Sequence, residues 1–398
     1  MLRRTTRLLW VLTFLFAVKA LADNDTKVLP GHPERGIQTF TAKNCAKCHS
    51  IWGVGGTLGP DLPEAIRGRD FYQIIGLLWN HSPRMLSRMA QEGIQTQEIK
   101  RDEMKHLIAF LYYLDFFDPP GNYERGETLF RSKSCVRCHS LGKNESKVGP
   151  SLDKFGLMIS PVFLGTDLWN HWPGMTVVFK IKQLKRPIFD KTDLADILAY
   201  IRGESIDETE NRKYLEPGNP DKGKTIFEAK KCNQCHAVFG KGGDRAPDLG
   251  IAQLSKNTTE IIGILWNHLD KMEKMYQELG IRLPKFEPQE MADLLTYLYF
   301  IGFYDENGDI ARGQVIYQEK GCMTCHSAPG EEGKLAPDLA NAGLDFESFD
   351  FAARIWNHTQ KMGVVFEESL IAWPMFRDDE MRDLIFYLKS QSETKKTE

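Results

Sequence analysis

Four copies of the motif Cys-x-x-Cys-His constrain this chain more than any other feature. They contain all eight cysteines of the 398 residues, and a histidine follows each cysteine pair at once. The motifs are Cys45/Cys48-His49, Cys135/Cys138-His139, Cys232/Cys235-His236 and Cys322/Cys325-His326. Their first cysteines are 90, 97 and 90 positions apart, a spacing that predicts a fourfold internal repeat.

Further landmarks recur at fixed distances from each motif. A glycine lies nine positions before the first cysteine, and an aromatic residue lies four positions after that glycine. These pairs are Gly36/Phe40, Gly126/Phe130, Gly223/Phe227 and Gly313/Tyr317. A proline lies eleven positions after each motif histidine, at Pro60, Pro150, Pro247 and Pro337. The agreement therefore extends well beyond the cysteines.

A second motif, Trp-Asn-His-x-x-x-Met, begins nineteen positions after each proline. Its Trp-Asn-His segments are residues 79–81, 169–171, 266–268 and 356–358. Each repeat then closes with an apolar helical pattern, at 104–113, 194–201, 291–299 and 381–388. Strand-type alternation is scarce, so the predicted fold class is all-α.

The predicted organisation is four tandem domains, which we call repeats 1 to 4. They cover residues 30–118, 120–205, 218–305 and 306–391. The second and third motifs are 97 positions apart, whereas the other neighbouring motifs are 90 apart. The extra length lies in a polar, proline-containing segment, and residues 206–217 are predicted to be a linker. A linker at this position divides the chain into two pairs of domains, repeats 1 and 2 and repeats 3 and 4.

The first 22 residues have the pattern of a signal peptide. Arg3, Arg4 and Arg7 precede an apolar run at 8–18, and Ala20 and Ala22 form an A-x-A cleavage site. The apolar run is too short to cross a bilayer, so export to the periplasm, the cell surface or the exterior is expected, with no transmembrane segment after cleavage.

The charge balance bears on partners. The net charge of −3 would become about −7 without residues 1–22, which carry four cations and no acid. That charge argues against nucleic acid as a partner and is compatible with docking to basic protein surfaces.

The Cys-x-x-Cys-His motif is typical of covalent haem attachment. Two thiols three positions apart can add to the two vinyl groups on one porphyrin edge, and the next residue places its imidazole on the iron. A zinc site would join two cysteine pairs and would not need a histidine after each. A thioredoxin-like pair would occur once, near a βαβ pattern that this chain lacks.

The sequence therefore predicts four c-type haems, one for each motif. The predicted proximal iron ligands are His49, His139, His236 and His326. Each haem is predicted to be bonded through two thioethers, at Cys45 and Cys48, Cys135 and Cys138, Cys232 and Cys235, and Cys322 and Cys325.

Each repeat resembles a class I cytochrome c domain, and this resemblance covers nearly the whole chain after the signal segment. It implies that the carbonyls of Pro60, Pro150, Pro247 and Pro337 accept hydrogen bonds from the proximal imidazoles. It also implies that the glycine–aromatic face of the first helix crosses the closing helix. The matching aromatic residues on the closing helices are Phe110, Tyr200, Tyr297 and Tyr387.

The resemblance implies a distal methionine in the loop before the closing helix, and here the chain departs from the family. Only repeat 4 has one, Met375, while the other repeats have Glu98, Ile188 and Lys285. The second motif offers two alternatives on one helix face. We favour its methionines as distal ligands: Met85, Met175, Met272 and Met362. The alternative is bis-histidine ligation through His81, His171, His268 and His358.

Other residues of this region carry weaker expectations. The motif tryptophans, Trp79, Trp169, Trp266 and Trp356, are expected to pack on the haem. Pro83 and Pro173 argue against an uninterrupted helix in repeats 1 and 2. The two remaining histidines, His32 and His106, are expected at the surface.

The favoured function is electron transfer, not enzyme catalysis, because each iron is predicted to have two protein ligands. The expected partners are other redox proteins or a membrane-bound quinol-linked complex. The alternative is a haem enzyme, or the electron-transfer subunit of a periplasmic dehydrogenase, reductase or peroxidase. A third hypothesis is an extracellular wire of stacked chains.

Overall fold

The computed structural model describes residues 31–118, 120–141, 148–152, 160–204, 215–252, 254, 257–302, 307–326, 336, 339 and 348–396. The predicted signal peptide, most of the predicted linker and Pro337 lie outside the described residues. Among the described helices, none has the length and apolar character that crossing a membrane requires.

The described residues are mostly helical. Repeat 1 contains α1 (Pro33–Ala42), α2 (Leu62–Ala65), α3 (Phe71–Gln91) and α4 (Arg101–Leu114), and repeat 2 contains α5 (Tyr123–Ser132), α6 (Pro161–Ile181) and α7 (Asp193–Glu204). Repeat 3 contains α8 (Pro220–Ala229), α9 (Thr258–Glu278) and α10 (Pro288–Ile301), and repeat 4 contains α11 (Ile310–Glu319), α12 (Ser348–Glu368) and α13 (Glu380–Lys396). Two short antiparallel hairpins follow the motif histidines, β1 (Ser50–Ile51) with β2 (Val54–Gly55) and β3 (Ala237–Val238) with β4 (Lys241–Gly242).

In every repeat the first helix crosses the closing helix at the recurrent glycine. A Cβ atom at Gly36, Gly126, Gly223 or Gly313 would lie only 2.0–2.1 Å from a backbone carbonyl oxygen of the closing helix. The recurrent aromatic residues meet beside this crossing, with ring centroids 5.5–5.8 Å apart. The pairs are Phe40–Phe110, Phe130–Tyr200, Phe227–Tyr297 and Tyr317–Tyr387. The crossing implied by the resemblance is therefore present in all four repeats.

One hydrogen bond fixes where each first helix begins. A backbone N–H at the start of the helix donates to a side chain on the closing helix, across 2.6–3.0 Å. The donor–acceptor pairs are His32–His106, Asn122–Asp196, Asn219–Asp293 and Asp309–Asp383. The expectation that His32 and His106 are plain surface residues is wrong. His106 does in repeat 1 what an aspartate does in the others, and the two imidazoles are partly buried, with ring centroids 5.6 Å apart.

The second helix of each repeat, α3, α6, α9 or α12, is 21 residues long. Pro83 and Pro173 lie inside α3 and α6, so the expected interruption of these helices is wrong. In α3 the Trp79 carbonyl cannot receive a bond from Pro83, which has no N–H. It accepts one from the Ser82 hydroxyl at 2.7 Å and one from the Trp373 indole at 3.3 Å instead.

These long helices join the repeats in pairs, but not in the pairs that the linker position suggested. Helix α3 packs on α12 and α6 packs on α9, while α4 also contacts α12 and α3 contacts α13. In the same way, α10 contacts α6 and α7 contacts α9. Repeat 1 is therefore paired with repeat 4, and repeat 2 with repeat 3.

Repeats 1 and 3 meet at the ends of their closing helices. Tyr112 and Tyr299 occupy equivalent positions, with ring centroids 4.8 Å apart, and the Tyr299 hydroxyl donates to the Tyr112 carbonyl at 2.9 Å. The N–H and the hydroxyl of Thr258 both donate to the carbonyl of Phe116, each at 2.8 Å. These contacts join the two pairs, so the repeats follow one another in space in the order 4–1–3–2.

Candidate haem sites

Each Cys-x-x-Cys-His motif forms the same short 3₁₀ turn. The residue before the first cysteine has left-handed backbone, with φ between 63° and 74°. The motif histidine then donates its backbone N–H to the carbonyl of the first cysteine at 2.9–3.0 Å. Residues three and four positions apart on a helical turn share a face. The turn therefore groups two thiols and one imidazole.

The loop after the turn closes back on the motif. The residue before the recurrent proline donates its N–H to the carbonyl of the second cysteine at 2.8–3.0 Å, and these residues are Gly59, Gly149, Ala246 and Ala336. The Nδ1–H of the motif histidine donates to the proline carbonyl, from His49 to Pro60, His139 to Pro150 and His236 to Pro247, at 2.9–3.0 Å. This bond fixes the imidazole and leaves Nε2 available to a metal. Pro337 lies outside the described residues.

Burial changes the acidity of the first cysteine thiol in each motif. Burial raises the pKa of its thiol to about 11, at Cys45, Cys135, Cys232 and Cys322. A buried site of this kind disfavours a thiolate and suits an uncharged thioether. Haem attachment at the first cysteines stays a prediction.

The second cysteine of each motif is held by its backbone on both sides. Its N–H donates to the carbonyl of the first cysteine at 3.1–3.3 Å, and its own carbonyl accepts the loop hydrogen bond described above. The sequence predicts thioether bonds at these partly buried residues, and they form no disulfide with their motif partners. The haem bonds at these four positions thus stay a prediction: Cys48, Cys138, Cys235 and Cys325.

The donor set of each motif fits a haem better than a bare metal ion. Within the described ranges, no group of three or more His, Cys, Asp and Glu side chains is placed to hold a metal ion on its own. Two thiols and one anchored imidazole on a single turn instead match the needs of a porphyrin edge and its iron. The residues therefore fit a haem bonded through two thioethers, whose iron would supply reversible one-electron chemistry.

The tryptophan and asparagine of the second motif hold the loop before the closing helix of the paired repeat, and we call this contact the clasp. The indole N–H donates to a loop carbonyl, in the pairs Trp79–Pro374, Trp169–Pro284, Trp266–Pro187 and Trp356–Gln97, at 2.6–3.5 Å. The asparagine amide makes two backbone hydrogen bonds of 2.7–3.0 Å with a single loop residue. These pairs are Asn80–Phe376, Asn170–Phe286, Asn267–Phe189 and Asn357–Ile99.

The clasp gives the motif tryptophans a structural role that the sequence did not indicate, while their packing on the haem stays a prediction. The contacts described for these indoles are with the paired repeat. Trp79 stacks on Trp373 with centroids 4.5 Å apart, and Trp169 meets Phe286 edge-on at 5.3 Å. Because the two members of each pair clasp each other, the tryptophans belong to an interface between repeats.

A lysine two positions before each first cysteine was missed by the sequence reasoning. Its ammonium donates to the carbonyl at the centre of the clasped loop of its own repeat, at 2.5–2.8 Å. It also pairs with a carboxylate sixty residues later on the closing helix, at 2.8–3.0 Å. The pairs are Lys43–Glu103, Lys133–Asp193, Lys230–Glu290 and Lys320–Glu380. The constant spacing of lysine and acid is the signal that could have revealed this tether.

The candidate distal ligands lie on the long helices and the clasped loops. The histidine rings of the second motif bond through Nδ1 to the carbonyl four residues earlier, from His81 to Leu77, His171 to Asp167 and His268 to Ile264, at 2.8–3.0 Å. Burial and the nearby charge of His326 lower the pKa of His358, so proximal and candidate distal imidazoles of repeat 4 are neighbours. The motif methionines are partly buried, and three of them pack against the apolar core: Met175, Met272 and Met362.

Comparison with known proteins supports this assignment for the second half of the chain. The model of the cytochrome c family matches residues 220–299 and 310–392, which correspond to repeats 3 and 4. These two stretches are therefore similar to c-type cytochrome domains. No curated protein and no solved structure gives a significant match to the chain.

Proposed function

We propose that the chain is an electron-transfer protein carrying four covalently bound c-type haems, one in each repeat. The observation that carries the proposal is the proximal-site geometry of repeats 1 and 2. These repeats lie outside the family match, yet they have the same 3₁₀ turn and the same imidazole–carbonyl bond as repeat 3. A haem iron held by fixed protein ligands changes oxidation state without bond rearrangement and therefore suits electron transfer.

The spatial order of the repeats suggests the order of the haems. Extensive helix contacts join repeats 1 and 4 and repeats 2 and 3, and Tyr112 and Tyr299 join the two pairs at the centre. Electrons would therefore pass between neighbours in the order 4–1–3–2, with haems 2 and 4 at the two ends of the relay.

The class of protein and its charge support the proposed location and partners. Domains of this family are typically exported, which agrees with the predicted signal peptide at 1–22. Other redox proteins or a membrane-bound quinol-linked complex are the proposed partners, and the surplus of acidic residues would favour basic docking surfaces.

Haem counting tests the proposal. Protein made in a host that matures c-type cytochromes is expected to give four haems per chain by the pyridine haemochrome assay. The double variant Cys135→Ala/Cys138→Ala should give three, and the matched variant Cys232→Ala/Cys235→Ala in repeat 3 should also give three. A count of two in the parent protein, unchanged by the repeat 2 variant, would limit haem binding to the family-matched half.

A further inference from the structure

We propose that the distal iron ligand in each repeat is the Nε2 atom of the Trp-Asn-His histidine: His81, His171, His268 and His358. The inference rests on the proposed function, because it concerns the far side of the same haems. It also reverses the preference for methionine drawn from the sequence. Each repeat has three candidate side chains for this role. They belong to the residue at the centre of the clasped loop, to the motif histidine and to the motif methionine.

The loop centre does not provide a constant ligand. It is occupied by Glu98, Ile188, Lys285 and Met375, and an isoleucine side chain has no atom that binds iron. What the four loops share is their backbone contacts, since a lysine holds the central carbonyl and the clasp holds the flanking residues. The repeated feature of these loops is therefore their position, not a donor atom.

The motif histidines are oriented as metal ligands are. In repeats 1, 2 and 3 the Nδ1–H donates to a carbonyl of the same helix, and no described residue bonds Nε2. Metal-binding histidines almost always donate their second ring nitrogen in this way, because the bond fixes the ring and makes the ligating nitrogen more basic. The proximal histidines of these three repeats make the equivalent bond to proline carbonyls, so the two rings of each of these repeats are anchored alike.

The motif methionines have a simpler role. Met175, Met272 and Met362 lie against the apolar core, where an unbranched thioether is a common gap filler. The side chains of His171 and His268 are exposed on the same helices. In repeats 2 and 3 the histidine is therefore the more exposed of the two donors on this face.

The clasp explains why the histidine follows tryptophan and asparagine. Each residue of an α-helix turns the chain by about 100°, so the histidine lies roughly 200° around the axis from the tryptophan. Trp266 and Asn267 bind the loop of the paired repeat, which fixes the rotation of α9. The next residue, His268, consequently points away from that contact. Two residues of the motif thus hold the paired repeat, and the third presents a nitrogen to its own haem.

The decisive experiment is low-temperature EPR with near-infrared magnetic circular dichroism on the oxidised four-haem protein, with the haem count measured in parallel. We expect only bis-histidine low-spin signatures. His268→Ala should convert one of the four haems to high spin, whereas Met272→Leu and Met375→Leu should leave the spectra unchanged. A thioether–iron signature in the parent that Met272→Leu abolishes would overturn the proposal.

A second variant covers the case in which His268→Ala does not assemble. His268→Met keeps a donor at the same position, and one of the four haems should then gain a thioether–iron signature. Unchanged bis-histidine spectra in this variant would overturn the assignment of His268. A haem count below four in the parent would instead contradict the proposed function, so the two failures are distinguishable.

Discussion

Lys230 shows how a single side chain can connect several elements of one repeat. Its ammonium donates to the Lys285 carbonyl at 2.8 Å, pairs with Glu290 at 2.9 Å and lies 5.1 Å from the centre of the Phe286 ring. One side chain thus connects the first helix, the clasped loop and the closing helix. Because the equivalent lysine makes the same two polar contacts in the other three repeats, the tether is a general part of this fold.

The carboxylates of these tethers have lowered pKa values. Burial raises the pKa of Glu290, but hydrogen bonds from the Lys230 ammonium and the Glu287 backbone outweigh it, so the pKa lies below its ordinary value of 4.5. The pKa values of Glu103, Asp193 and Glu380 are lowered for the same reasons. A carboxyl group with a lowered folded-state pKa stabilises the fold above its unfolded pKa, and this contribution is lost as the pH falls through the folded pKa.

We therefore predict that the thermal midpoint, followed by far-ultraviolet circular dichroism, falls as the pH decreases below about 4.5. Glu290→Gln should lower the midpoint at about pH 7 and make the loss on acidification smaller, because one of the four tethers no longer titrates. Glu278→Gln serves as the control, since Glu278 is exposed at the end of α9. An identical pH profile for Glu290→Gln and the parent would exclude the tether as a source of acid lability.

At the level of residues, the sequence could predict the contacts that depend on local spacing. The proximal histidine and the proline carbonyl are eleven residues apart in one loop, so their bond follows from a constant distance along the chain. The constant spacing of lysine and acid could have indicated the ion pair of the tether, but its contact with the clasped loop could not be seen without the structure. The role of His106 was missed because the other repeats have aspartate at the equivalent position, and the structure shows that both residue types accept the same hydrogen bond.

Among the secondary-structure elements, the long helices have the broadest role. Each places two residues on the paired repeat, and the asparagine amide satisfies both the N–H and the C=O of one loop residue, as Asn267 does for Phe189. The loop before the closing helix of one repeat is therefore held by the neighbouring repeat. Loss of the amide would leave two partly buried backbone groups without partners, which costs about 1–3 kcal/mol for each unsatisfied group.

We predict that Asn267→Ala alters the haem of repeat 2 and not that of repeat 3, although Asn267 belongs to repeat 3. The reduction potential of one haem should shift in a spectroelectrochemical titration. In the background Cys135→Ala/Cys138→Ala, which lacks haem 2, the same substitution should have no effect on the remaining three. Lys271→Ala, on the exposed face of α9, is the matched control. A shift that persists without haem 2 would show that Asn267 acts within its own repeat.

The sequence predicted the helical type of the main elements but not their partners. Helical periodicity and the fixed spacing of the motifs are properties of each repeat alone, so α4, α7, α10 and α13 could be predicted. The continuity of α3 through Pro83 could not, because the Trp79 carbonyl is satisfied partly by Trp373 of another repeat. The clasp contacts of the tryptophans could not be predicted for the same reason, since their acceptors lie at least 79 residues away in the chain.

In the whole molecule, the two halves of the chain are interlocked. Repeats 1 and 2 form one half and repeats 3 and 4 the other, yet each clasped pair takes one repeat from each half. Tyr112 and Tyr299, equivalent residues of repeats 1 and 3, meet at the centre, which is the arrangement of an approximate twofold axis between the halves. The linker position suggested pairs of chain neighbours because sequence distance carries no information about such an exchange.

This interlocking predicts an electron route that differs from the order of the haems in the chain. A ruthenium photosensitiser attached at Lys361→Cys, an exposed position of α12, would inject an electron into haem 4. In the order 4–1–3–2 the electron must pass haem 1 first. Removing haem 1 with Cys45→Ala/Cys48→Ala should therefore trap it on haem 4, as transient absorption would detect.

Removing haem 3 with Cys232→Ala/Cys235→Ala gives the complementary result, since transfer from haem 4 to haem 1 should persist while haem 2 becomes isolated. A relay in chain order requires the opposite pattern, because haem 3 would then be the neighbour of haem 4 and haem 1 would be a dispensable end. Each variant must retain three haems and the far-ultraviolet dichroism of the parent for the comparison to hold. Since the two orders demand opposite outcomes from the same two variants, trapping in the variant without haem 3 would refute the order 4–1–3–2.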